Sequence, residues 1–234
     1  MGQTTLRDLN PFDILDTEFA RLDTYFAGLG DAAWNRPSRC EGWTVRDVLA
    51  HLAGEELYNR ACLDDDLDRL FALLDREGIK DLGTFNDWCV DARRKRTVGY
   101  VLDEWREGNA DTRRRMRARG ADAMLTTMAG PYPVGLQAFH YASEYATHGD
   151  DVGVPIGPDE EEARADWRAR VAVFVLDEQG SALVASPISG GYRIEADGMT
   201  AELSTADFIA ASTRRLPADH PLGDGLRRAL VCLA

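Results

Sequence analysis

The chain has 234 residues, 44% hydrophobic and 29% charged, with a formal net charge of −13. That composition suits a soluble globular protein with one large domain, or a main domain and a smaller one. The acidic balance argues against nucleic acid or an anionic membrane as partner, because phosphate contacts need a basic face.

The N-terminal "MGQTTLRDLNPFDILDTEF" has no apolar signal core, and no run reaches the roughly 18 apolar residues of a membrane span. A cytoplasmic protein is expected. Apolar residues from Ile14 to Leu29 recur at helical spacing and predict a first helix over 12–28. After a turn-rich loop, Thr44 and Asp47 fit the T-x-x-D form of a helix start, and Val45, Val48, Leu49 and Leu52 make the buried stripe of a second helix. Further helices are expected over about 64–77, 84–118 and 134–150. The acidic "LDDDLDRL" is no calcium loop, since Arg69 stands where such a loop requires glycine. Between Arg93 and Arg119, ten Lys/Arg face four Asp/Glu. This run reads as a solvated helix face, with a positive wall for an anionic ligand as the functional alternative.

Past a Gly- and Pro-rich break, "DEEEARADWRARVAVFVLDEQGSALVA" predicts one more helix. "GGYRIEADGMTAELS" predicts two strands around an Asp-Gly turn. Short helices over 205–214 and 221–232 complete the chain. The division expected is a helical domain over 1–155 and a small mixed α/β domain over 156–234.

Cys40, Cys62, Cys89 and Cys232 form no C-x-x-C pair, so neither a disulfide framework nor a cysteine-type zinc site is expected. The nucleophile-elbow, phosphate-loop, dinucleotide and H-E-x-x-H signatures are all missing. Chemistry therefore falls to histidine and glutamate. In "HYASEYATHGDD", residues 140–151, His140, Glu144 and His148 recur every four residues and share a helix face. His51 lies near the buried stripe of the second helix. An E-x-x-x-H pair with one distant histidine would give a His₂Glu metal set inside a bundle, with a coordination position left open. Spacing alone leaves His140 as an alternative to Glu144. Asp151 could orient the His148 ring, or simply end the helix.

The segment "WNRPSRCEGWTVRDVLAHLAGEE", residues 34–56, together with "EYATHGDD", resembles the DinB-like family of mycothiol-dependent maleylpyruvate isomerases and related thiol S-transferases. The resemblance implies a mainly α fold, a four-helix bundle followed by a small α/β segment. It implies that His51, Glu144 and His148 bind a divalent metal, commonly Zn2+, with His140 a neighbour. Asp151 matches the family's acidic position after the second histidine. Arg214 falls where the family has the arginine of a Gly-Arg step in the active site, although Thr213 stands in place of the glycine. Mycothiol is the implied thiol cosubstrate, and an electrophilic or unsaturated acid the implied substrate, turned over by cis–trans isomerisation or S-transfer. A metal-dependent enzyme of the same fold that uses no thiol, such as an isomerase or cyclase, is the first alternative. A non-catalytic metal-stabilised binding protein is the second. Trp34, Trp43 and Cys40 of the motif are expected to serve packing; Glu55, one turn after His51, could join the metal but is expected to face solvent.

Overall fold

The structure, a computed structural model, describes residues 5–233. It is mainly helical with a small C-terminal sheet, as expected, and divides into two compact units. Among the described residues no helix is long and apolar enough to cross a membrane.

Pro11–Val154 is the first unit. It contains α1 (Pro11–Ala27), a 3-10 turn (Asp31–Asn35), α2 (Val45–Asp64), α3 (Leu67–Arg76), α4 (Leu82–Arg93), α5 (Val98–Arg119), a hairpin of β1 (Met124–Thr127) and β2 (Gly130–Pro133), and α6 (Val134–Val152). Helices α1, α2, α5 and α6 form the bundle: α1 lies against α6 and α5, and α2 against α5 and α6. Helix α4 covers the outer side of α2, where a Cβ on Gly54 would overlap the Cys89 side chain. Leu15, Leu22 and Phe26 of α1, Val48, Leu49 and Leu52 of α2, Trp105 and Met116 of α5, and Ala142 and Tyr145 of α6 fill the core.

One expectation changes here. The helix predicted over 84–118 is broken at 94–97, where the Thr97 hydroxyl accepts from the Tyr100 amide at 3.2 Å and starts α5 afresh. The basic run keeps a largely solvated face, with Arg94, Lys95, Arg96, Arg114, Arg117 and Arg119 exposed, and is laced with ion pairs. Arg93 forks onto Glu104 at 2.7 and 3.1 Å, Arg106 reaches Asp23 of α1 at 2.6 Å, Arg117 reaches Asp13 and Asp16, Arg113 pairs with Asp16, and Arg115 meets Asp64 at 2.6 Å. These contacts tie α5 to α1 and to the end of α2.

A buried polar network joins α2, α5 and α6. Glu56, 2% exposed, accepts from Thr112 Oγ1 at 2.6 Å, Asn109 Nδ2 at 3.2 Å and the Tyr141 hydroxyl. Tyr145 in turn accepts from the Trp105 indole at 2.8 Å and from Asn109 at 2.6 Å. Gly108 makes room, since a Cβ there would sit 3.0 Å from Glu56 Cγ.

The second unit comprises the residues from Pro155 onward together with those described before Pro11. It holds α7 (Glu161–Glu178), β3 (Val184–Ile188), β4 (Gly191–Ala196), β5 (Met199–Ser204), α8 (Thr205–Ser212) and α9 (Asp224–Leu230). The three strands are antiparallel in the order β3-β4-β5. The Asp-Gly turn joins β4 to β5 with both residues left-handed, φ 50 at Asp197 and 74 at Gly198. Helix α7 ends earlier than predicted because the apolar tail after it pairs with β4 as β3. Tyr192 stacks on Phe208 with ring centres 4.4 Å apart. Residues 5–10 join this unit: Leu6 is buried, and Arg170 donates to the Thr5 carbonyl at 2.8 Å and reaches Asp8 at 3.2 Å.

Burial pushes the Glu56 carboxyl up to about 7, against the pull of its hydrogen-bond donors. Protonation therefore stabilises the fold below the unfolded carboxyl range near 4.5, and that contribution is lost as pH rises through 7. Glu56→Gln keeps the shape without the charge. In urea denaturation with a chelator present, the variant should gain on the wild type by up to about 3 kcal/mol between pH 4.5 and 8. A difference that does not change with pH would contradict this.

Candidate metal centre

The capping box of α2 fixes the start of the site. Thr44 Oγ1 accepts from the Asp47 amide, and Asp47 Oδ2 accepts from the Thr44 amide at 2.9 Å. The loop before it is pinned twice. The Ser38 hydroxyl donates to the Trp43 carbonyl at 2.8 Å, and the Arg39 amide donates to the Asp151 carbonyl on α6 at 3.0 Å. Gly42, at φ 78, permits the turn between Cys40 and Trp43. This loop and helices α2 and α6 supply the whole cluster.

Nε2 of His51, from α2, lies 3.2 Å from Glu144 Oε1, and Nε2 of His148 lies 3.0 Å from the same oxygen. The three donor atoms all fall within 4.8 Å of one another. Both rings are buried, while the Glu144 side chain stays 31% exposed and forms the open side. His140 is not in this group; its Nε2 meets the Tyr132 hydroxyl at 3.0 Å. A row at four-residue spacing drifts around a helix of 3.6 residues per turn, and here it carries His140 off the face.

Behind His148 stands a carboxylate. Asp151 Oδ2 lies 3.1 Å from His148 Nδ1, and the Cys40 thiol donates to that same oxygen at 3.1 Å, 3.7 Å from the ring nitrogen. With Nδ1 directed to Asp151, Nε2 is the nitrogen that faces the cluster, the orientation a metal-ligating histidine uses. Cys40, expected to be structural, is thus part of the surround of His148. Trp43, expected to pack the loop, has its ring centre 5.2 Å from that of His51 and stays half-buried. Trp34 is a packing residue, stacked on Phe26 at 5.5 Å.

Glu55 differs from its expected place in solvent. Its Oε1 lies 3.3 Å from His51 Nε2 and its side chain is only 20% exposed. Burial, then the charge of Glu144, holds its carboxyl well above the usual range. Burial also opposes the Glu144 charge, but the charge of His148 and hydrogen bonds from both rings hold Glu144 well below that range. Burial opposes protonation of His148 too, and is outweighed by Glu144 and Asp151, which raise it well above the ordinary imidazole value. The cluster therefore stabilises positive charge at its centre.

Two imidazoles and a carboxylate are donors a divalent ion takes, and the two separations at Glu144 suit one. Ligand atoms about 2.1 Å from one ion stand roughly 3.0–3.4 Å apart for angles between octahedral and tetrahedral, and the separations of 3.0 and 3.2 Å at Glu144 fall in that span. Arg214 lies in the other unit, exposed, directly after α8, at φ 59. Thr213 before it is buried, its hydroxyl bonded to the Ile209 carbonyl at 2.9 Å. Arg214 thus holds the left-handed position in which a glycine ends a helix.

Fold and cluster define a helical-bundle protein with a His-Glu-His centre shared by two helices, followed by a small α/β unit. Residues 15–153, more than half of the chain, match the mycothiol maleylpyruvate isomerase N-terminal domain, and the chain belongs to that family. Two solved structures share the fold. One is the mycothiol-dependent maleylpyruvate isomerase, 15% identical with a TM-score of 0.64 over 89% of each chain. The other is a variant of that isomerase with one histidine replaced by alanine, 14% identical with a TM-score of 0.63 over 88% of each chain. No curated protein matches the chain at a significant level.

Outer partners of ligating histidines are worth about 10–100-fold in metal affinity. Asp151→Asn should lower zinc affinity by that order in competition with a chromophoric chelator, and Cys40→Ala by only a few-fold. Unchanged affinity in Asp151→Asn would separate the carboxylate from the site.

Proposed function

We propose that the chain is a divalent-metal-dependent enzyme that activates a low-molecular-weight thiol, mycothiol, for addition to an electrophilic or unsaturated acid. The observation that carries this reading is the grouping of His51, Glu144 and His148, whose donor atoms all lie within 4.8 Å of one another. In a chain of this family, that grouping supports a site for an ion such as Zn2+ held by two imidazoles and a carboxylate. Such an ion, when bound, converts a coordinated thiol into its nucleophilic thiolate.

The chain's own residues do the rest. Asp151 fixes the ring and tautomer of His148. The solvent-open side at Glu144 admits thiol and substrate, and the half-buried indole of Trp43 walls the site beside His51. For an isomerase outcome, the thiol adds across a cis double bond, the resulting single bond rotates, and the same thiol departs. For a transferase outcome the conjugate is retained. An acid substrate calls for an arginine clamp. Arg214 and Arg215 are the candidates, and the left-handed backbone at Arg214, a position glycine favours, supports aligning that residue with the glycine of the family's Gly-Arg step and Arg215 with its arginine.

The test is elemental analysis of wild type, His51→Ala and His148→Ala, each then assayed with maleylpyruvate and with a thiol-reactive haloarene, with and without mycothiol. The reading predicts about one equivalent of metal in wild type, lost in both variants, and consumption of one of the two substrates only when mycothiol is present. Turnover indifferent to mycothiol would overturn the thiol assignment, and no stoichiometric metal would overturn the reading as a whole.

A further inference from the structure

Glu55 stands one turn beyond His51 on α2, as His148 stands one turn beyond Glu144 on α6. Each helix thus offers one imidazole and one carboxylate at i, i+4, the spacing at which helical side chains meet. Glu55 Oε1 lies 3.3 Å from His51 Nε2, matching the 3.2 Å from the same nitrogen to Glu144 Oε1. One Nε2–H cannot serve two carboxylates equally well. A second observation points the same way: Glu55 Oε2 is buried and has no hydrogen-bond partner among the described residues. Two carboxylates drawn to one imidazole, one of them with an unsatisfied buried oxygen, form an arrangement that a shared cation would satisfy.

We propose that Glu55 is a fourth protein ligand of the metal, making the centre His₂Glu₂. This rests on the reading that a metal sits between His51, Glu144 and His148, and extends it. Two carboxylates balance a dication, so the resting site is formally neutral rather than +1, and its oxygen-rich set is more tolerant of ions such as Mn2+ and Co2+ than a set of imidazoles and thiolates.

The experiment uses metal ions alone. Zinc affinity is measured by chelator competition, and the visible absorption of the Co2+-loaded protein is recorded, for wild type, Glu55→Gln, Glu144→Gln and the exposed control Glu107→Gln. Loss of a ligand should lower zinc affinity of Glu55→Gln by about 100-fold or more, beyond the effect of an outer partner, and should change the Co2+ band in position and intensity. Glu107→Gln should match wild type. Glu55→Asp, which withdraws the carboxylate by one methylene, should shift both readouts in the same direction and serves if Glu55→Gln does not fold. If Glu144→Gln loses metal while Glu55→Gln and Glu55→Asp keep wild-type affinity and spectrum, Glu55 is no ligand and the three-residue reading stands. If Glu144→Gln also keeps its metal, the three-residue reading falls and takes this proposal with it.

Discussion

Two imidazole nitrogens from helices far apart in the chain meet at one carboxylate oxygen, with 3.2 Å from His51 and 3.0 Å from His148 to Glu144 Oε1. Everything else at the site follows from holding α2 and α6 in that rotation. A turn of either helix by one residue, about 100°, would carry its imidazole out of reach. The bundle resists this through shape and through polar bonds. Gly54 lets α4 close on α2, and Gly108 gives Glu56 its space between α2 and α5. Glu56 then joins α2 to the tyrosines of α6 and to Asn109 and Thr112 of α5. Such a satisfied buried network fixes one helix rotation in a way that apolar contacts, tolerant of sliding, do not.

Charge organises the centre at a second level. Glu144, Glu55 and Asp151 surround two imidazoles in a largely buried volume. Without a cation, the only relief is to protonate His148 and to hold Glu55 neutral, which is the direction in which both groups are pushed. A bound dication would meet the same demand through coordination, and would leave the proton on His148 Nδ1 directed at Asp151. The Cys40 thiol, reaching the same Asp151 oxygen at 3.1 Å, ties the loop before α2 to that arrangement.

Much of this was legible in the sequence where the signal was local. Thr44 with Asp47 announced the start of α2, and Asp197-Gly198 announced the β4–β5 turn, because capping and left-handed turns are decided by a few adjacent side chains. The break between α4 and α5 was not legible: Arg94, Lys95 and Arg96 are good helix formers, and only the competing cap at Thr97 marks it. Strand β3 was hidden for a related reason, as its short apolar run suits helix or strand until β4 pairs with it. At the site, the four-residue spacing exposed Glu144 and His148, bundle geometry offered His51 as the distant histidine, and the family resemblance chose it and set His140 aside. Glu55 obeys that same spacing from His51, but spacing does not choose between the metal and solvent, because its exposure is set by the approach of α6, which no local pattern encodes. Cys40 and Trp43 lie in a loop without periodicity, where only folded coordinates could bring them to the histidines.

The central claim is that one metal ion joins His51 and His148 across α2 and α6. The chain has only four histidines, so long-range 15N–1H spectra of the imidazoles can observe each ring separately. Addition of about one equivalent of Zn2+ should shift Nε2 of His51 and His148 as ligands, hold their Nδ1 protonated, and leave His140 and His220 unmoved. Saturation without a change at His51 or His148, or a shift centred on His140 or His220, would contradict the account.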